Sequence, residues 1–308
     1  MSFKDRIEAD EIKILRFLNS RMKLAEKDKI RFRNLVKGFE GEVMFDSLTE
    51  KLQCPSYILN DLLLETSNGK FQLDTVMITQ DPLYLFEVKN YEGDFYFEGD
   101  RFYALPKKEY KNPLHQLQRS ESLLRQLLES LGYRIPIEAY VVFINPHFTC
   151  YKAPLNEPII YPNQLPRFMH NLNRRPSTLN GMHKKLADQL VSMHQIELPY
   201  DRLPPYDYGK LKKGNICRVC LSLKTTVVNN KLVCEDCGCH EVIDHAVLRV
   251  VEEIKLLFPK IKITTNLVHE WGKVVESKKT IRRILKQNYS VEGKKEFGFI
   301  SLHDQRHF

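Results

Sequence analysis

The sequence predicts an α/β fold in which a mixed sheet is flanked by helices. Helical periodicity comes first, strand patterns follow between residues 57 and 105, and an amphipathic helix then precedes a nearly all-apolar strand. This order of elements is typical of an α/β sandwich. A change of composition after residue 197 predicts smaller domains in the remainder of the chain.

The N-terminal part of the chain has helical patterns. Residues 6–35 are charged, with apolar residues spaced unevenly along one side, which predicts one or two amphipathic helices packed on the body. A further helix is predicted through Gly38 and Gly41 to about Leu52. Each glycine inside a helix costs about 1 kcal/mol relative to alanine. We interpret the two glycines as a sign that this helix approaches the sheet closely.

The core elements follow from alternation and turn residues. Strands are predicted at 57–65, 71–79, 83–89, 94–98 and 101–105, a helix from Pro113 to Gly132, and a central strand at 137–144. Residues 198–209 are rich in proline and tyrosine and follow neither period, which predicts a linker.

Positive charge is concentrated at one end of the chain. The 308 residues carry a formal net charge of +8, of which residues 1–210 hold +1 and residues 211–308 hold +7. A basic module attached to a near-neutral one favours a polyanionic partner, most simply nucleic acid. The alternative is a solvated basic tail without such a partner.

The sequence predicts neither a membrane-spanning helix nor a secretion signal. It has no apolar run of about 18 residues or more, the length that a membrane-spanning helix needs. The first residues are charged and lack the apolar segment of a secretion signal. We therefore expect a cytoplasmic protein without a membrane partner.

Charged residues close an apolar strand. Glu87 and Lys89 end one such run, and Asp74 lies inside another. Strand alternation places Glu87 and Lys89 on one face, which Asp74 can reach from a neighbouring strand. Unpaired buried charge is strongly unfavourable, so such groups pair with each other or hold a metal. Asp74 and Glu87, with the carbonyl of Val88, are therefore candidate ligands of Mg²⁺ or Mn²⁺.

Lys89 completes this group. An ammonium beside a metal can position the attacking water and offset the charge of a phosphoryl transition state. The alternative is a Glu87–Lys89 ion pair at a sheet edge.

Two helical residues extend the candidate site. Glu42 follows Gly41 and is expected to point into the same cleft; the alternative is a glutamate placed near a helix N-terminus by the helix dipole. Asn112 and Pro113 suit the start of a helix, which places Gln116 in the first turn, where phosphate is favoured. The alternative is that Gln116 is a polar surface residue.

Taken together, these motifs resemble the nuclease-related domain (NERD), a branch of the PD-(D/E)xK nuclease superfamily. The motifs are Gly41-Glu42, Asp74, the run Glu87-Val88-Lys89-Asn90-Tyr91-Glu92-Gly93, and Asn112-Pro113-Leu114-His115-Gln116. The resemblance covers residues 36–145 and implies a restriction-endonuclease-like core with an intact site. The resemblance is also compatible with a homodimer that cuts both strands of a duplex.

Four of the seven cysteines have the spacing of a metal site. Two Cys-x2-Cys pairs are separated by 13 residues, with a hairpin predicted between them around Asn229-Asn230. Four thiolates at this spacing predict a closed structural Zn²⁺ site, a zinc ribbon, formed by Cys217, Cys220, Cys234 and Cys237. Disulfides are the less favoured alternative in a cytosolic protein. Cys239 or His240 could take the place of Cys237 as the fourth zinc ligand, but this is the less favoured alternative because Cys237 completes the spacing.

Three predicted helices and a hairpin after the ribbon suggest a winged-helix-like domain. The third helix starts at Ser277 and carries exposed cations, and the hairpin, or wing, spans residues 289–300. The candidate nucleic-acid contacts are Lys278, Lys279, Arg282, Arg283, Lys286, Lys294 and Lys295. The alternative is a small helical domain with a solvated basic face.

The preferred function is Mg²⁺-dependent endonucleolytic cleavage of nucleic acid, most simply duplex DNA. Glu42, Asp74 and Glu87 would bind or order metal, Lys89 would act on water and charge, and Gln116 would orient a neighbour or contact phosphate. The alternatives are a non-catalytic DNA-binding protein on a nuclease scaffold and an RNA nuclease. The predicted domains are a helical region (1–35), the nuclease-related domain (36–197), a linker (198–215), the ribbon (216–242) and the winged-helix-like domain (243–308).

Overall fold

A computed structural model describes residues 2–196, 199–292 and 299–300. Its helices are α1 (Asp10–Arg21), α2 (Glu26–Thr49), α3 (Pro113–Ser130), α4 (Leu165–Asn173), α5 (Gly181–Ser192), α6 (Ile243–Leu257), α7 (Thr265–Gly272) and α8 (Lys278–Asn288). Its strands are β1 (Tyr57–Thr66), β2 (Gly69–Ile78), β3 (Leu83–Lys89), β4 (Gly93–Glu98), β5 (Arg101–Ala104), β6 (Lys108–Tyr110), β7 (Ile137–Phe143), β8 (Phe148–Tyr151), β9 (Ile159–Ile160), β10 (Thr225–Val228), β11 (Lys231–Cys234), β12 (His240–Val242), β13 (Val291–Glu292) and β14 (Phe299–Ile300).

The chain divides into two compact units. The first combines Met1–Glu8 with Arg33–Leu198, and the second combines Ala9–Phe32 with Pro199–Phe308. Within the described residues, no helix is long and apolar enough to cross a bilayer.

A mixed sheet forms the centre of the first unit, as the sequence predicts. Its strand order is β1-β2-β3-β7-β9; β1, β2 and β3 are antiparallel neighbours, while β3, β7 and β9 run parallel. Successive side chains of a strand point to opposite faces. Leu83 and Leu85 accordingly belong to the core that includes α3 and α5 residues, whereas Tyr84 and Phe86 belong to the core with α2 and α4 residues. The sheet is therefore covered by helices on both faces.

A second sheet lies beside the end of β3. Its order is β6-β5-β4-β8, with β4 and β8 parallel and the other pairs antiparallel. Stacked aromatic rings, including Tyr91, Phe95 and Phe102, join it to the core of the main sheet. Because β4 begins four residues after Lys89, this sheet forms one side of the region around that residue.

The helix that carries Glu42 begins earlier than the sequence indicates. We predict separate helices before and after residue 35, but α2 is continuous through Gly38. One helical glycine costs only about 1 kcal/mol, which a long helix tolerates. Gly41 does mark a close approach, since a Cβ there would lie 2.4 Å from Asn90 Cβ. Gly38 has no atom within 4 Å of such a Cβ, so the close-approach interpretation is wrong for Gly38.

The two glycines provide a matched pair for a stability test. Gly38→Ala is expected to stabilise the protein by about 1 kcal/mol, because it adds helix propensity in open space. Gly41→Ala is expected to destabilise it by about 1–3 kcal/mol, because the methyl group collides with Asn90 and Ile144. Urea unfolding of both variants checks this, and equal effects of the two substitutions would contradict the packing described here.

Helix α1 contributes to the core of the second unit. Ile14 and Leu18 pack with residues of α6 and α7, including Val250 and Trp271. The segment predicted as a linker joins the same core through its tyrosines, and Tyr206 Oη donates a hydrogen bond of 2.7 Å to the Leu257 carbonyl. The tyrosines of this segment therefore pack against the core of the second unit instead of lying in an open linker.

Candidate functional site

Asp74 and Glu87 lie side by side on antiparallel strands. Thr75 of β2 pairs with Phe86 of β3, so Asp74 and Glu87 are the next residues along the two strands. Both are buried, with 7% and 2% of their surfaces exposed. Asp74 Oδ2 accepts a hydrogen bond of 2.8 Å from the Val88 N–H, which fixes the orientation of that carboxylate. The structure therefore brings together the two carboxylates that the sequence singles out.

Lys89 connects this pair to helix α3. Its Nζ lies 2.6 Å from Glu87 Oε1 and donates a hydrogen bond of 3.1 Å to Gln116 Oε1. Asn112 caps α3, since its Oδ1 accepts from the Leu114 N–H, and Pro113 opens the first turn. Gln116 thus reaches Lys89 from the start of this helix, as the sequence indicates.

Glu42 is held by a residue that the sequence interpretation missed. Arg6 Nη1 lies 2.6 Å from Glu42 Oε2, and its Nε lies 2.8 Å from Asp46 Oδ2. The same guanidinium donates to the Asp74 carbonyl and to Thr75 Oγ1. Arg6 therefore ties α2 to β2 at the candidate site and supplies a second cation there.

The N-terminal segment positions Arg6 through backbone hydrogen bonds. The Phe3 and Lys4 N–H groups donate to the Ile58 carbonyl, and the Asn60 N–H donates to the Lys4 carbonyl. This pairing extends along β1, next to β2. An isolated arginine followed by helical residues carries no pattern that indicates this pairing. The sequence therefore does not predict that Arg6 reaches the candidate site.

Asn90 supports the close contact of α2 with the sheet. Its Nδ2 donates to the Lys37 carbonyl at 2.7 Å, and its Oδ1 accepts from Asn145 Nδ2 at 2.9 Å. Asn145 follows β7, so this one side chain bridges α2 and the loop after the neighbouring strand. It fixes the helix that carries Glu42.

Burial and mutual repulsion shift the titration of these groups. Burial, and then the Asp74 carboxylate, raise the pKa of Glu87 to about 8. The same two causes raise the pKa of Glu42 to about 8, against the lowering effect of Arg6. Burial also raises the pKa of Asp74, against Lys89 and the Val88 N–H. The site thus has a high affinity for positive charge.

A divalent cation fits the donor set of Asp74 and Glu87. Both are hard oxygen ligands, and Mg²⁺ is commonly bound through one or two carboxylates together with water and substrate phosphate. A group of three or more metal-ligating side chains with all donor atoms within 4.8 Å of one another occurs, among the described residues, at the four cysteines of the second unit and not at these carboxylates. Glu42 is paired with Arg6, and among the described residues it forms no such group with Asp74 and Glu87.

Comparison with models of known protein families identifies one similarity. Residues 37–144 match the model of the nuclease-related domain family, NERD. The match confirms the resemblance to the nuclease-related domain and covers about a third of the chain. No curated protein and no solved structure matches the chain significantly. Glu42, Asp74, Glu87, Lys89 and Gln116 all lie within the matched residues, whereas Arg6 lies outside them.

The raised pKa values of Glu42 and Glu87 predict a pH-dependent stability of the first unit. Glu42 and Glu87 titrate near 8 in the fold against an ordinary value of 4.5. The folded state therefore binds protons more tightly than the unfolded chain, and this contribution to stability is complete below pH 4.5 and lost as pH rises through about 8. Mg²⁺ should restore stability at the alkaline end, because it replaces the protons.

Calorimetry across this pH range, with and without Mg²⁺, measures the effect. Glu87→Gln serves as the control, because its amide does not titrate and should lessen the alkaline decline to the contribution of Glu42. A wild-type unfolding temperature that does not change between acid and alkaline pH would contradict the assignment.

The second unit contains the cysteine cluster that the sequence predicts. The ligand atoms of Cys217, Cys220, Cys234 and Cys237 all lie within 4.8 Å of one another, a geometry that fits a tetrahedral zinc ion. Between the two pairs, β10 and β11 form an antiparallel hairpin. Its turn residues Asn229 and Asn230 both have positive φ, as a type I′ turn requires. Cys239 lies outside the cluster and accepts a hydrogen bond from Arg218.

The basic helix has the predicted faces. Ile281, Ile284 and Leu285 of α8 are buried, whereas its cations are exposed. Arg283 differs from the other cations, since it forms an ion pair of 3.0 Å with Asp244 at the start of α6. Strands β13 and β14 pair antiparallel after α8. Lys294 and Lys295 lie outside the described residues.

Proposed function

We propose that this chain is a metal-dependent endonuclease that hydrolyses phosphodiester bonds in nucleic acid, most simply duplex DNA. The observation that carries the proposal is the buried Asp74–Glu87 pair with Lys89 between Glu87 and Gln116. The arrangement joins two hard ligands, one ammonium and a helix N-terminal side chain, and it lies in the nuclease-related domain. The same residues support placement in the PD-(D/E)xK superfamily.

Each side chain has a distinct role in this proposal. Asp74 and Glu87, with the Val88 carbonyl as a further candidate ligand, hold Mg²⁺ or Mn²⁺, which when bound polarises the phosphate and acidifies a coordinated water. Lys89 holds the attacking water and stabilises the charge that develops on the phosphate. Gln116 accepts a hydrogen bond from Lys89 and thereby orients it. Glu42, held by Arg6, adds negative charge that favours the bound cation.

The second unit contributes affinity for the substrate. The zinc ion would fix the ribbon, and α8 with the following hairpin would act as a winged helix on DNA. Lys278, Lys279, Arg282 and Lys286 are exposed and suited to phosphate contacts, as are Lys294 and Lys295 from their sequence position. Arg283 would have to leave Asp244 to take part. A homodimer that cuts both strands stays a prediction of the family resemblance.

Cleavage of supercoiled plasmid tests the proposal. The wild-type chain should nick or linearise it with Mg²⁺ or Mn²⁺, and Asp74→Ala should abolish this reaction. Competition between duplex DNA and single-stranded RNA identifies the substrate. Binding without any cleavage under both metals would instead support a DNA-binding protein on a nuclease scaffold, and equal cleavage by Asp74→Ala would locate the activity elsewhere.

A further inference from the structure

A polar cleft of about 770 Å³ opens beside Gln116. Its lining includes Lys111, Gln116 and Arg119 from α3 and the residues before it. Arg101 and Glu109 of the second sheet and Asp100 of the turn before β5 also line it. All of these residues belong to the first unit. The cleft is thus built by elements that also border Lys89.

Several polar side chains of the cleft have partners within it. His115 Nε2 lies 2.8 Å from Asp100 Oδ1, and Arg101 Nη1 lies 4.0 Å from Glu109 Oε2. The side chains of Lys111 and Arg119 are exposed and form no hydrogen bond or ion pair with any residue that the structure describes. The cleft therefore presents two uncommitted cations, and an anion can bind both without breaking an ion pair.

Helix geometry connects these cations to the candidate active site. Gln116 and Arg119 are three residues apart on α3 and so lie on neighbouring positions of one helix face. Gln116 contacts Lys89. Lys111 precedes α3 by two residues, so Gln116 lies between Lys111 and Arg119 in the sequence. A chain of phosphates that passes Lys89 would meet these side chains next.

We propose that this cleft binds the sugar-phosphate backbone of the substrate strand beside the bond that is cleaved, with Lys111 and Arg119 each contacting a phosphate. The proposal rests on the proposed nuclease function for the identity of the polyanion. Electrostatic contacts of this kind are independent of sequence and depend strongly on salt. The cleft would therefore set where the strand lies rather than which sequence is cut.

Binding by a double variant tests the cleft. Lys111→Glu with Arg119→Glu is compared with Arg125→Glu with Arg134→Glu, which changes the net charge equally at exposed positions outside the cleft lining. Both are made in the Asp74→Ala background of the full chain, so that labelled oligonucleotides stay intact. Fluorescence anisotropy is recorded on single-stranded and duplex DNA over a range of salt concentrations.

The cleft variant should bind about tenfold more weakly, and its slope of log affinity against log salt should fall by about 1.4 on single strands or about 1.8 on duplex. The control should keep the parental slope. With Asp74 restored, the cleft variant should raise KM and leave kcat largely unchanged, as expected for groups that bind phosphate away from the reacting bond. Equal affinities and slopes for both double variants would overturn the proposal.

The two hypotheses fail in different ways. If the wild-type chain cleaves DNA but the cleft variant binds like the control, the cleft assignment is wrong and the nuclease function stands. If oligonucleotide binding depends on Lys111 and Arg119 but no metal supports cleavage, the cleft assignment stands and the nuclease function is wrong.

Discussion

Replacement of Lys89 by methionine is expected to lower the rate of phosphodiester cleavage by about 10²–10³-fold, the effect of removing one preorganised group that stabilises transition-state charge. The effect should appear in kcat, because Lys89 acts on the charge that develops during reaction. The Nζ is in position for this role, since Glu87 and Gln116 hold it from two sides and its side chain is only 16% exposed.

The fold should survive this substitution. Loss of Lys89 leaves the Glu87 carboxylate without its nearest cation, but burial and Asp74 already raise the pKa of Glu87 to about 8. Glu87 can therefore take up a proton instead of staying buried and charged. Lowered cleavage with an unchanged unfolding temperature at neutral pH would separate catalysis from stability.

An exposed lysine provides the control. Lys70→Met removes a cation at the start of β2, away from the carboxylate pair, and should leave kcat unchanged. Quenched-flow or gel-based single-turnover rates on a defined duplex distinguish the variants. If Lys89→Met cleaved as fast as Lys70→Met, Lys89 would be only the partner of a buried ion pair, as the simpler interpretation of the sequence has it.

Local patterns predicted the elements of the candidate site well. Alternation placed Glu87 and Lys89 on one face of β3, and the Asn-Pro signal placed Gln116 in the first turn of α3. These inferences depend on a few neighbouring residues, for which strand and helix periods are strict. Asp74 required one further step, the pairing of two adjacent strands, and a short turn between them makes that pairing simple.

Long-range contacts could not be predicted in the same way. Arg6 reaches Glu42 and Thr75 across 36 and 69 positions of sequence, and no period relates them. The interpretation of Gly38 failed for a related reason, because a glycine pattern does not reveal which side of a helix meets another element. Ion pairs such as Arg283–Asp244 likewise depend on how α6 and α8 pack.

Loss of one partner of the buried Arg21–Glu253 ion pair should strongly destabilise the second unit. Both side chains have 0% exposure. Arg21 donates to both carboxylate oxygens of Glu253 and to the carbonyls of Lys212 and Gly214, and its guanidinium lies 4.3 Å from the Trp271 ring centroid. One side chain therefore ties α1, α6, α7 and the segment before the ribbon together.

Glu253→Gln is expected to cost about 3–5 kcal/mol, because it leaves a buried guanidinium without its counter-charge. The adjacent Glu252→Gln is the matched control: Glu252 pairs with Lys255 at 2.8 Å but is 60% exposed, so its loss should cost less than about 1 kcal/mol. Denaturant unfolding monitored by Trp271 fluorescence follows this unit, because Trp271 is the single tryptophan of the chain.

A double replacement separates charge from packing. Arg21→Met with Glu253→Leu removes both buried charges together and should recover the part of the loss in Glu253→Gln that comes from the unpaired charge, since a buried ion pair is often replaced by apolar side chains at little cost. The carbonyls of Lys212 and Gly214 would still lose their donor, at about 1–3 kcal/mol each if they stay buried. A double variant less stable than Glu253→Gln would therefore mean that Arg21 acts mainly through these carbonyls rather than through its charge.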